Sequence, residues 1–212
     1  MINTIIFDFG DIFINLNHKK VSEAFKNLGL NDWNDDLKAQ NQLFETGKIT
    51  ENQFLESFQK YLPNANLSEI RSAWNYILGD FPLYRLEFLQ ILSQKYRLFL
   101  LSNTDAIHIQ HFEETEGLSF IADFYKCFEK VYFSYEIGMR KPDEAIFKHL
   151  IKNHNLSEKR TLFVDDKKEN TDAAHKLGLI IWNLQVGLED VADLFDVNTP
   201  KLGESFKSQN LF

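Results

Sequence analysis

The chain holds a single cysteine, Cys127. No intramolecular disulfide can form, so a fold stapled by disulfides is excluded and a reducing, cytoplasmic setting is the expectation. Set between Tyr125 and Phe128, Cys127 reads as a small core residue, since no activating group stands near it. Positive charge is also scarce: 23 Lys and Arg face 31 Asp and Glu, a net charge of −8. No basic footprint points to nucleic acid or to an anionic membrane surface, and an anionic substrate would need a local cation. No apolar run approaches the length of a membrane span, and no basic segment precedes the short apolar run at the N-terminus. Internal repeats and low-complexity tracts are lacking too. What is present is ordinary for a globular chain with a full core: 212 residues, 44% hydrophobic and 25% charged.

The hydrophobic pattern changes along the chain. Residues 4–9 read as a first strand whose apolar run, Ile5-Ile6-Phe7, ends in Asp8, and an unpaired carboxylate beside a buried strand would cost several kcal/mol, so Asp8 needs a partner. Helical spacing then takes over: Val21, Phe25 and Leu28 close at Gly29, and Leu37 with Phe44 runs toward Gly47. Thr50 and Gln53 predict a capping box ahead of Phe54, Leu55 and Phe58, with Pro63 as the stop. Ser68 is the expected cap of a helix carrying Ala73, Trp74 and Ile77, and another helix follows Pro82. From about residue 96 strands and helices alternate. LFLL at 98–101, KVYFS at 130–134, TLFV at 161–164 and LIIWNL at 179–184 read as strands; helices are expected from Pro142, from about Asn170 to Leu177, and around Val191–Phe195. The fold class is therefore α/β: a Rossmann-like parallel sheet of at least five strands with an inserted all-helical cap. The expected division is a discontinuous core of residues 1–16 and 96–198, a cap of 17–95 and a tail of 199–212 whose Phe206, Leu211 and Phe212 dock on the core.

Polar residues gather where strands end: Asp8, then Ser102-Asn103, then Arg140-Lys141, then Asp165-Asp166. The carboxyl edge of an open α/β sheet is where ligands bind, so these positions are expected to share one crevice. Three converging carboxylates repel unless a cation joins them, and a hard oxygen set with open positions suits Mg²⁺. Lys141 adds a positive charge, and Ser102 with neighbouring backbone N–H groups can donate to anionic oxygens, so the set reads as a phosphate site. Blander uses exist for each member: a loop-capping Asp8, a helix-capping Asp165-Asp166, a turn hydroxyl at Ser102, a solvated Lys141. His108 and His111 are read as an ordinary polar helix face, and Trp33 and Trp74 as core.

FDFG at 7–10, LLSNT at 100–104, RKP at 140–142 and FVDDKKEN at 163–170 resemble, in order, the four motifs of haloacid dehalogenase superfamily hydrolases, and the helical insertion sits where members of the first cap class carry theirs. The resemblance implies a phosphatase acting on a small phosphorylated metabolite, such as a sugar phosphate. In that scheme Asp8 is the nucleophile that becomes an aspartyl phosphate, and Ser102, Asn103 and Lys141 hold the phosphoryl group. Mg²⁺ would be bound by Asp8, the Gly10 carbonyl, Asp166 and Asp165 directly or at one remove. One position departs from the common pattern, because Gly10 stands where most such phosphatases carry the general acid. Asp11 is the candidate replacement, with a solvated turn residue as its alternative. The departure leaves two further readings: a metal-independent dehalogenase, and a catalytically silent phosphate-binding or regulatory module.

Overall fold

Five short apolar runs become the strands of one parallel sheet: β1 (Thr4–Phe7), β2 (Arg97–Ser102), β3 (Lys130–Phe133), β4 (Thr161–Asp165) and β5 (Ile180–Asn183). The computed structural model describes residues 1–195, so the tail at 199–212 and the docking expected of Phe206, Leu211 and Phe212 lie outside the described residues. The strand order is β3-β2-β1-β4-β5, with β1 central and Phe7 in register with Leu100 on one side and Val164 on the other. The period of two divides the side chains between two cores. Ile5, Phe7, Leu98, Leu100, Leu162 and Val164 enter one apolar cluster, and Ile6, Phe99, Leu101 and Phe163 enter another on the opposite face.

Five helices separate β1 from β2: α1 (His18–Leu28), α2 (Asp35–Phe44), α3 (Glu51–Gln59), α4 (Leu67–Asn75) and α5 (Leu83–Ser93). The first four gather Phe25, Leu37, Phe44, Phe54, Phe58, Ile70 and Trp74 into a third core of their own. The fifth turns Leu86, Leu89 and Leu92 onto the sheet beside Ile5 and Leu98. Gly29 ends α1 at φ 107°, a left-handed value that suits a residue without Cβ, and Thr50 and Gln53 form the expected capping box. The cap of α4 is Asn66 rather than Ser68: its side chain accepts from Glu69 N while Glu69 reaches back to Asn66 N, a reciprocal pair that Ser68, already inside the helix, cannot make.

The remaining helices are α6 (Ala106–Glu116), α7 (Leu118–Lys126), α8 (Ser134–Ile137), α9 (Glu144–His154) and α10 (Lys168–Lys176), with a 3₁₀ turn at Val191–Phe195 where a last helix is expected. The sequence pattern assigns no helix over 106–126 beyond the His108/His111 spacing, and the single turn α8 occupies what reads as loop. Cys127 is buried as expected, its thiol pKa pushed up by burial and by Asp123. Among the described residues no helix is long and apolar enough to cross a membrane.

Candidate active site

β1 lies between β2 and β4, so the strand order reverses at it and the crevice lies at its carboxyl end. Asp8 follows β1, Ser102 ends β2 and Asp165 ends β4. The loop after α8 carries Lys141 into the middle. Its ammonium, wholly buried, lies 2.8 Å from Asp8 Oδ1 and 2.7 Å from Asp165 Oδ2. The partner that Asp8 requires is thus Lys141. Asn103 fixes that lysine's backbone from both sides: Nδ2 donates to Lys141 O at 2.8 Å, and Lys141 N donates to Asn103 Oδ1 at 2.9 Å.

The charges do not balance. One oxygen from each of Asp8, Asp165 and Asp166 lies within 4.8 Å of the others, and the Lys141 ammonium touches two of the three, Asp8 and Asp165. Burial pushes the pKa of Asp8 up to about 7, with Asp165 and Asp166 adding to the rise and Lys141 opposing it. Asp166 is raised as well, by burial and then by Asp165. Burial works against Lys141, yet the pull of Asp165 and Asp8 holds its pKa above the ordinary lysine value. The two aspartates at the end of β4 differ. Asp165 accepts from Lys167 N at 2.8 Å, from Asn170 Nδ2 at 3.0 Å on both oxygens and from Lys141, whereas Asp166 sits more openly beside it. A hard divalent cation matches this donor set: carboxylate oxygens with an excess of negative charge.

Gly10 leads into a tight turn. A Cβ placed there would lie 2.9 Å from Cδ1 of Leu16, so the Leu16 side chain fills the space in which a side chain at position 10 would stand. Asp11 adopts φ 56° and its Oδ1 accepts from Leu16 N at 2.9 Å, while Oδ2 faces His18 Nε2 at 3.8 Å. Asp11 is thus both a turn residue and a carboxylate near the cluster, where its charge is felt at Asp166.

The helical insertion docks over this edge through polar contacts. Leu16 and Leu78 form an antiparallel bridge between the outgoing and returning chains, flanked by Gly79 N to Asn15 O at 2.8 Å and Asn17 N to Ile77 O at 2.7 Å. Glu45 Oε2 pairs with Arg140 Nη2 at 3.1 Å, beside Lys141, and the backbone of Gly47 packs against Tyr135 O. Trp74 Nε1 donates to Asp105 Oδ2 at 3.0 Å, and His108 Nδ1 meets the same oxygen at 3.0 Å. Expected to lie on an ordinary polar face, His108 is instead half-buried, stacked on Trp74 at 4.9 Å, with Asp105 supplying a charge that offsets its loss of water. Two functional neighbours thus escape the sequence reading, His18 beside Asp11 and Asp105 at the joint; Thr104-Asp105 just after a strand is a helix-cap signal that points to the second.

The family model described as haloacid dehalogenase-like hydrolase matches residues 5–182. The chain belongs to the haloacid dehalogenase-like hydrolase family. It is 29% identical over 184 residues to a D-ribitol-5-phosphate phosphatase of Bacteroides thetaiotaomicron, a match that spans 84% of this chain and 89% of that one. Among solved structures, a haloacid dehalogenase family enzyme from Bacteroides thetaiotaomicron superposes with a TM-score of 0.83 at 32% identity, covering 92% of this chain and 98% of its own. The same enzyme has been solved with magnesium and inorganic phosphate, where the TM-score is 0.79. A family member from Porphyromonas gingivalis follows at 0.77, with 27% identity and coverage of 88% and 93%. The five-stranded parallel sheet flanked by helices thus agrees with a hydrolase of this family.

Proposed function

We propose that this hydrolase is a Mg²⁺-dependent phosphatase that acts on a small phosphorylated metabolite, a sugar or polyol phosphate, through an aspartyl phosphate on Asp8. The observation that carries the reading is the unbalanced cluster, three carboxylates beside one ammonium at the carboxyl edge of β1, which is built to receive one cation and one anion. Its relatives support it, one a D-ribitol-5-phosphate phosphatase and one an enzyme solved with magnesium and inorganic phosphate.

Asp8, the Gly10 carbonyl and Asp166 would hold Mg²⁺, with Asp165 behind them bound to Lys141. When bound, the ion screens carboxylate from phosphate. Asp8 attacks phosphorus in line, and the bond to the leaving oxygen breaks as the new P–O bond forms. Lys141 neutralises the charge that spreads over Asp8 and the phosphoryl oxygens, and Ser102 donates a hydrogen bond to one of them. Asn103 sets the Lys141 loop through its two backbone bonds. Asp11 takes the role left vacant at Gly10, giving a proton to the departing oxygen and then accepting one from the water that opens the aspartyl phosphate. A metal-independent dehalogenase would have no use for the excess of carboxylate, which favours the phosphatase.

The test is phosphate release from an aryl phosphate and from a panel of sugar and polyol phosphates, with Mg²⁺ or chelator. Turnover is expected to need Mg²⁺ and to fall at least about 10⁴-fold in Asp8→Asn. Asp11→Asn should cost about 10²-fold on poor leaving groups and little on the aryl ester. No release under any of these conditions would overturn the reading in favour of halide release or of silent phosphate binding.

A further inference from the structure

Lys141 ends a short segment, α8 and the loop after it, that is held from two sides. From the sheet, Ser134 Oγ donates to Thr104 O and accepts from Thr104 N, both at 3.0 Å, and Asn103 brackets the Lys141 backbone with two bonds. From the helical insertion comes the end of α2. There Glu45 Oε2 stands 3.1 Å from Nη2 of Arg140, the residue before Lys141, and the chain at Gly47 packs on Tyr135 O. Gly47 adopts φ 64°, and a Cβ at that position would collide with Tyr135 O, so the close approach requires glycine.

Glu45 is itself fixed within the insertion. Its Oε1 accepts from Asn41 Nδ2 at 3.1 Å, and its backbone N donates to Asn41 O at 2.8 Å. Arg140 has far less to hold it. Its side chain is 28% exposed, its Nε is buried without a hydrogen-bond partner, and among the described residues the carboxylate it touches is that of Glu45. No aligned hydrogen bond joins the two, so charge holds the pair. A guanidinium that rests on one carboxylate is left uncompensated when that charge goes, and water is its remaining partner. Arg140 is peptide-bonded to Lys141, whose ammonium lies 2.8 Å from Asp8 and 2.7 Å from Asp165. Two adjacent cations are thus anchored by different parts of the molecule, Arg140 by the insertion and Lys141 by the sheet edge.

We propose that Glu45 and Arg140 are positioning residues: through their ion pair the end of α2 holds the loop that presents Lys141 to Asp8, and the rate of phosphoryl transfer depends on that hold. The inference rests on the phosphatase reading for its effect on rate. Neither residue belongs to the carboxylate cluster, and both act through Lys141.

Glu45→Gln removes the charge and keeps an oxygen for Asn41 Nδ2, and Arg140→Gln removes the partner. Hydrogen exchange, read by mass spectrometry, is followed over residues 134–141, where the Gly138 and Lys141 amides are bonded to Ser134 O and Asn103 Oδ1, with β4 as the control. Each variant is expected to speed exchange over 134–141 about tenfold and to leave β4 unchanged. In phosphate release from the same panel, kcat should fall about tenfold with KM within about twofold of wild type. The double variant should lose no more than the worse single one, since both break the same pair, and Arg140→Lys, which keeps a charge, should recover part of both readouts. Melting curves check folding; should Glu45→Gln not fold, Glu45→Asp, which draws the charge back by one methylene, takes its place. The proposal fails if exchange over 134–141 stays within about twofold of wild type in both single variants, if the wild type turns over and their kcat stays within about twofold of it, or if the two losses simply add. Faster exchange in variants of a chain whose wild type releases no phosphate ends the phosphatase reading and keeps the hold of α2 on the loop; unchanged exchange and kcat in a chain that does release phosphate do the reverse.

Discussion

Two buried charged clusters lie within this molecule, and they are built on opposite plans. At the joint between α4 and α6, Asp105 Oδ1 accepts from His108 N and Oδ2 accepts from Trp74 Nε1 and pairs with His108 Nδ1, each at 3.0 Å, while His108 Nε2 meets Trp74 O at 3.1 Å. One negative group faces one positive group, and each oxygen and ring nitrogen has a protein partner. Burial opposes both charges, yet their mutual attraction and hydrogen bonds hold Asp105 below and His108 above their ordinary values. At the carboxyl edge of β1 burial wins against Asp8, because the Lys141 ammonium is shared with Asp165 and two further carboxylates add their repulsion. A closed cluster is a fastening, and an open one is a receptor for charge that the chain does not itself supply.

The contrast can be broken from either side. Lys141→Met should have the largest effect, since it removes the only cation touching Asp8 and Asp165 among the described residues; urea unfolding is expected to show a loss of about 3–5 kcal/mol. Added Mg²⁺ should return part of that loss, and a variant indifferent to Mg²⁺ would mean that the carboxylate cluster does not take the ion. Asp105→Asn keeps a cap and an acceptor for Trp74 but removes the charge, so about 2 kcal/mol should be lost, with no recovery by Mg²⁺. Mg²⁺ rescue of Asp105→Asn would erase the distinction between fastening and receptor.

The smallest effect is in pH. His108 is raised, so its contribution is full below the ordinary value of 6.5 and is lost as pH climbs through the folded value. Asp105 is lowered, so its contribution is full above the ordinary value of 3.8 and is lost as pH falls through the folded one. The joint is therefore strongest between those limits. A plot of melting temperature against pH should decline on the alkaline side in the wild type and decline less in Asp105→Asn.

The strands were legible because each is a short apolar run that stops at a polar residue, and the same stops mark Asp8, Ser102 and Asp165-Asp166. Helices α6 and α7 were not. Ile107 joins the core of α1–α4, while Ile109 and Phe112 join the sheet, so α6 shows no single apolar stripe for a periodicity to reveal. The Lys141–Asp8 contact could be expected from motif order. The pairings Trp74 with Asp105, Glu45 with Arg140 and His18 with Asp11 could not, for each joins residues on different elements, and only folding brings them together. Asn103 shows the limit within a motif: placed among the phosphate-holding residues from sequence, its side chain is spent on the backbone of Lys141.

The ladder at Leu16 and Leu78 has one more consequence. Because the outgoing and returning chains are bonded to each other before α1 begins and after α4 ends, the sheet meets the four-helix part of the insertion, α1–α4, as it would meet a hairpin turn. The entropy of closing that long loop is carried within the insertion and its own aromatic core, and pairing β1 with β2 is spared most of it. Insertions between β1 and β2 can therefore differ greatly in length while the register of the strands beneath them stays the same.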